Sequence, residues 1–172
     1  MELYLKQLTQ EDAENLYAFE CENRAFFEKM VPGRGDEYYQ YENFLERHRA
    51  LLDEQEKRLS IFFLIKDKTG NILGRLNLVD INQDIGTGHI GYRVGKAFTG
   101  QGIANRSLTL LLRDNDEYNV REIHAKTTVN NIPSQKVLLR NGFLLTNTEE
   151  DQASGETFLH YLWSHAVKRK GG

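Results

Sequence analysis

The chain has 172 residues, enough for one domain with a sizeable core. Its 22 basic and 25 acidic residues leave a formal net charge of −3, which gives no general reason to expect a nucleic-acid partner. No apolar run approaches membrane-span length, and the opening MELYLKQLTQED lacks the basic-then-apolar order of a secretory signal.

Leu3, Leu5 and Gln7 alternate with Tyr4 and Lys6, so the chain is expected to open with a strand. Thr9 to Asp12 form a capping-box pattern, which starts a helix at about residue 10 with Ala13, Leu16 and Tyr17 toward the core. Pro32, Gly33 and Gly35 break the chain. A second helix follows, with Tyr38, Tyr41, Leu45, His48 and Leu52 along one stripe and a charged, solvated end at 53–58. Residues 59–66 are a strand that is apolar on both faces, as expected when both are covered. A turn at 67–71 leads to its hairpin partner at 72–81, and a polar connection at 82–88 leads to a strand at 89–94. Residues 121–129 alternate as another strand. Pro133 and Gly142 bracket a short helix, and 143–148 and 157–163 are closing strands around a loop at 149–155. The basic residues 168–172 read as a disordered tail after one domain at 1–167. Cys21 has no second cysteine to pair with, which fits a reducing cytoplasm; it reads as an ordinary helix-face residue. The element order predicts an α+β fold on a mixed, mainly antiparallel sheet, with the strands at 89–94 and 121–129 parallel.

The chemistry concentrates in residues 91–112, GYRVGKAFTGQGIANRSLTLLL. A strand ends there, Gly95, Gly100 and Gly102 free the backbone, and a helix begins at Ile103. The open N–H groups of its first turn, with the helix dipole, form a site for an anion such as phosphate. The plainer reading is a simple strand-to-helix turn.

Thr99 to Ala104, TGQGIA, resembles the acyl-CoA pyrophosphate loop of the GNAT N-acetyltransferases, with Thr99 standing where that family usually has Gln or Arg. Asn130 to Ser134, running into Gly142 and Phe143, is similar to the later family motif, and His89 to Tyr92 to the Glu-Ile-Gly-Tyr of the RimJ/RimL-like branch that acetylates ribosomal-protein N-termini. The resemblance implies a GNAT-like sheet of about seven strands with flanking helices and a splayed parallel pair. It implies acetyl-CoA as cofactor, with no metal. Its pyrophosphate would lie on amides from Gln101, Gly102, Ile103, Ala104 and Asn105. Its pantetheine would pair with the backbone of Tyr92, Arg93 and Val94, an amide near Val94 polarising the thioester carbonyl.

The same resemblance makes Asn130 a cofactor contact. Lys136 and Arg140 on the short helix, and Lys96 and Arg106 nearer the loop, reach for phosphates or are merely exposed. The tyrosine that protonates the thiolate in many relatives is replaced by Leu138. Ser134 is then the candidate donor to the sulfur, or else a helix-cap hydroxyl. His89 is the candidate base, or a structural strand histidine. Asp80 and Asp84 are alternative bases, and Glu149, Glu150 and Asp151 line the acceptor site or form a solvated loop. The expected activity is acetyl transfer to a primary amine by direct attack in a ternary complex, the acceptor being a ribosomal or other protein N-terminus. A polyamine, an amino sugar, a non-catalytic acyl-CoA-binding module and a nucleotide-phosphate binder stay open, as do monomer and homodimer. Two decoys fail on context: Gly86 to Gly91 matches a dinucleotide motif but runs into a strand, and Asn105 to Ser107 matches a glycosylation sequon inside a helix.

Overall fold

The apolar runs become seven strands of one sheet in the computed structural model of the chain, which describes residues 2–30 and 32–165. In order they are β1 (Leu3–Gln7), α1 (Ala13–Glu28), α2 (Tyr41–Glu56), β2 (Ile61–Asp67), β3 (Ile72–Asn82), β4 (Thr87–Val94), α3 (Ile103–Arg113), β5 (Glu122–Thr128), α4 (Ile132–Arg140), β6 (Leu144–Glu150) and β7 (Thr157–Ser164). The strands lie in the order β1-β2-β3-β4-β5-β7-β6. Every neighbouring pair is antiparallel except β4 with β5.

Two cores lie on opposite faces of this sheet. The α1 and α2 helices close one face over β2 with Leu16, Phe19, Phe44, Leu51, Phe62 and Leu64. The α3 and α4 helices close the other with Ile103, Leu108, Leu111, Leu138, Ile65 and Trp163 among others. β2 therefore buries residues on both sides, which is why it reads as a continuous apolar run. Each fully buried leucine contributes roughly 1.5–3 kcal/mol. Among the described residues no helix is long and apolar enough to cross a membrane.

The parallel pair sets up the site. β4 and β5 pair only from Thr87↔Glu122 to Ile90↔Ala125. Beyond that point β4 continues to Val94 and β5 to Thr128 without pairing to each other. The side of β4 toward β5 is thus an unpaired edge at residues 91–94, while its other side stays bonded to β3.

The helix expected at about residue 10 opens there as a 3-10 turn behind the Thr9 capping box, and three other expectations are corrected. α1 proper begins at Ala13, after a 3-10 turn at Gln10–Asp12, because Asp12 Oδ2 takes the Thr9 amide at 2.8 Å and Lys6 Nζ at 2.6 Å. In α2 the buried stripe is Phe44, His48 and Leu51, with Tyr38 in the turn before it. Phe44 brings a larger apolar ring to the interface than Leu45, so the helix is rotated by about one residue from the expected phase. Gln55, expected to be solvated, donates to Leu8 O at 2.9 Å and accepts from the Phe62 amide at 2.8 Å. Glu149 and Glu150 belong to β6, not to a loop, because they continue its pairing with β7. The tail at 168–172 and the domain end at 167 lie outside the described residues.

Candidate active site

The turn into α3 forms as the glycines require. Gly100 and Gly102 sit at φ 77° and 74°, a left-handed backbone that side chains disfavour, and the space above each is open. Gly102 is the N-cap of α3 and no side chain caps that end. The amides of Ile103, Ala104 and Asn105 in the first turn therefore point at open space. Ile103 is buried and offers its backbone alone, while the Asn105 side chain is held by Asn141 at 2.9 Å. Arg106 folds back to donate to Gln101 O at 3.3 Å. Lys96, Lys136 and Arg140 are exposed, and Thr99 donates to Lys96 O at 3.0 Å. Alanine at Gly102 forces a strained φ, which costs about 1–2 kcal/mol, and puts a methyl group into that space. We expect Gly102→Ala to weaken coenzyme A binding roughly tenfold by calorimetric titration, an affinity loss of ~1.4 kcal/mol.

The second feature spans the splayed gap. Tyr92 on β4 and Ser134 on α4 meet with OH and Oγ at 2.9 Å. Asn131, not Ser134, caps α4: its side chain accepts the Ser134 amide at 3.2 Å. The serine hydroxyl is therefore not the helix cap, and it faces the gap. Gln135 anchors the same helix end by donating to Val129 O at 2.9 Å. Burial pushes the Tyr92 phenol above its usual pKa, against the opposing effect of the Ser134 bond, so it stays a proton donor. Asn130 is exposed in the turn just before, and Leu138 is buried in the core.

On the opposite face of the sheet β4 presents His89, Gly91 and Arg93. His89 stacks on His124 of β5 with ring centroids 4.9 Å apart. Burial, and then the neighbouring His89, lower the His124 pKa, so its imidazole is neutral and able to accept a proton at pH 7. Beyond it, Lys126 lies over the Phe158 ring at 4.2 Å, and His160 Nε2 pairs with Glu149 at 2.7 Å. This half of the face is only partly covered, and a side chain at Gly91 would meet nothing. Asp80 is exposed at a bulge in β3, one residue past Val79, the partner of His89. Asp84 lies at the hairpin tip, at the end of β4 away from the splay. Asp151 is held by its own turn, accepting from Ser154 at 2.8 Å and from the Ala153 amide, which keeps its carboxyl below the usual range.

Residues 2–144 match the family model described as acetyltransferase (GNAT) domain. The chain belongs to the GNAT acetyltransferase family. It is 30% identical over 147 residues to the probable N-acetyltransferase YjcK of Bacillus subtilis (strain 168), covering 82% of this chain and 80% of that protein. Its fold superposes on a ribosomal-protein-S5-alanine acetyltransferase from Vibrio fischeri with a TM-score of 0.88, at 20% identity, over 96% of this chain and 94% of the other. A RimL ribosomal L7/L12 α-N-protein acetyltransferase in complex with coenzyme A gives 0.83, at 20% identity, over 96% and 95%. A chimera of spermidine N-acetyltransferase SpeG from Vibrio cholerae gives 0.78, at 14% identity, over 96% and 97%. At these identities the structures share the GNAT fold, and they differ in acceptor.

This GNAT chain also holds charged residues that its sequence does not advertise. Glu20 of α1 is fully buried, with Oε1 2.6 Å from Arg75 Nη1 on β3. Arg34 and Arg93 approach the same carboxylate at 3.7 and 3.8 Å. Asn23, one turn along α1, accepts the Lys96 amide at 2.8 Å and ties the helix to the end of β4. A signal was present: Leu16, Glu20, Asn23 and Phe27 recur at three- and four-residue spacing, so Glu20 and Asn23 fall on the apolar stripe.

Proposed function

We propose that this GNAT protein binds acetyl-CoA across the β4–β5 splay and passes its acetyl group to a protein N-terminal α-amine. The observation that carries the reading is the pairing of an uncapped α3 N-terminus with an unpaired β4 edge at residues 91–94. The amides of Gln101, Gly102, Ile103, Ala104 and Asn105 suit a diphosphate, and Tyr92, Arg93 and Val94 suit the pantetheine amides as an added strand. Asn130 and Lys136 flank that path. Acetyl-CoA supplies an activated thioester carbonyl; the protein supplies position and proton traffic.

The acceptor amine must arrive neutral. His89, backed by neutral His124, takes its proton on the open face. An amide near Val94 stabilises the charge developing on the carbonyl oxygen. As the C–N bond forms and the C–S bond breaks, Ser134 Oγ gives a proton to the sulfur, Tyr92 OH replaces it, and a proton from solvent restores the phenol. One proton leaves the nitrogen and one reaches the sulfur, so the step balances. The RimJ/RimL-type neighbours favour the N-terminal acceptor, and the lone exposed Cys21 suits a reducing cytoplasm.

The test is thiol release from acetyl-CoA with Ser- and Ala-led peptides, the product identified by mass. We expect N-terminal acetylation, with kcat/KM falling only at acid pH, below the ordinary histidine range, because burial and the neighbouring His89 lower the His124 pKa. The sign follows from the neutral imidazole being the active form. His124→Ala should remove that acid limb, and His89→Ala should lower the rate at every pH. No acetylation of any peptide, with small amines accepted, sinks the N-terminal reading.

A further inference from the structure

Three guanidinium groups surround one carboxylate beside the open face. Glu20 accepts one hydrogen bond from Arg75, and its Oε2 has none. Arg93 and Arg34 stand farther off, at 3.8 and 3.7 Å. Among the described residues the Arg93 guanidinium makes no hydrogen bond. It is 24% exposed and held over the Phe27 ring at 4.8 Å, so it is fixed and partly dry, and the one carboxylate near it is shared with Arg75 and Arg34. Arg24 adds no free charge, because Glu28 and Asp36 take it at 2.9 and 2.5 Å. Burial, and then the neighbouring Arg34, lower the Arg93 pKa, against the opposing pull of Glu20.

The position of this excess charge matters. Arg93, Gly91 and His89 share one face of β4, with Gly91 as an empty floor between them. Strand spacing puts the Arg93 Cα about 7 Å from Gly91 and about 13 Å from His89. The coenzyme's diphosphate belongs to the α3 N-terminus, on the other face of the sheet. Whatever anion Arg93 takes therefore enters with the acceptor. A planar guanidinium with several free N–H groups binds carboxylate or phosphate in a bidentate way.

We propose that Arg93, with Arg34 beside it, binds an oxyanion carried by the acceptor molecule, a carboxylate or a phosphate near the amine that is acetylated. The inference rests on the acetyl-transfer reading and narrows its substrate class. An acceptor that is cationic throughout, such as a polyamine, meets two like charges here and is disfavoured.

Matched amines separate the sources. Ser-Asp-led and Ser-Asn-led peptides form the carboxylate pair; phosphoethanolamine and ethanolamine form the phosphate pair; spermidine is the cationic control. In at least one pair the anionic member should show about tenfold higher kcat/KM, mainly through KM, in line with a charged hydrogen bond. Arg93→Gln should bring that ratio to about one, Arg93→Lys should keep part of it, and Arg34→Gln should lower it about threefold. Arg34 is on an exposed segment, so its variant decides the matter if Arg93→Gln does not fold. Equal rates within both pairs, a preference that survives the variants, or spermidine as the best acceptor overturns the proposal. If both peptides react equally, this inference falls and the N-terminal reading stands. If phosphoethanolamine alone reacts, the reverse holds, and if no amine reacts, both fall.

Discussion

Glu20→Leu should destabilise the protein by about 3–5 kcal/mol, because it removes the one carboxylate that the buried Arg75 bonds. Glu20 is 0% exposed and Arg75 5%, so neither charge can turn to water when the other is lost. For a chain of this size the melting temperature should fall by roughly 6–20 °C. Adding Arg75→Met should recover most of the loss, since an apolar pair of similar volume is often as stable as a buried ion pair. Thermal and urea unfolding of both single variants and the double variant give the coupling directly. Additive effects, or single losses below about 1 kcal/mol, would show that water reaches the pair, and with it the partly dry state of Arg93 would go.

Much of the fold was legible because burial leaves a period in the sequence. β2 shows both its faces, α3 its leucine stripe, and Pro133 with Gly142 the bounds of α4. The turn into α3 was legible because a left-handed backbone at Gly100 and Gly102 selects glycine. What stayed hidden depends on pairings far apart in the chain. His89 meets His124 only through the β4–β5 register, and Tyr92 meets Ser134 only across the splay. Neither contact has a local signature. The α2 phase is not legible, because Tyr38 and Tyr41 fit the helical spacing as well as Phe44, which the fold buries. Glu20 has only a faint signature, because glutamate in a helix is usually solvated and only its place on the Leu16–Phe27 stripe says otherwise.

Ser134→Ala should lower kcat by about a hundredfold and change the KM for acetyl-CoA by less than about threefold, as expected for loss of a proton donor to the leaving thiolate. The substitution is well isolated structurally. Asn131 caps α4 and Gln135 anchors it, so helix stability should not change; Asn131→Ala, by contrast, should cost about 1 kcal/mol. Tyr92→Phe keeps the ring and removes the hydroxyl 2.9 Å from Ser134, and we expect a smaller fall in kcat, of about tenfold. If the two hydroxyls work as one relay, the double variant should be no slower than Ser134→Ala alone, because groups acting in series do not add. Burial raises the Tyr92 pKa above 10.0, so the relay should hold its proton through neutral pH and fail only on the alkaline side of that value. Rates unchanged in both variants would mean that the sulfur takes its proton from water and that the 2.9 Å contact only fastens α4 to β4.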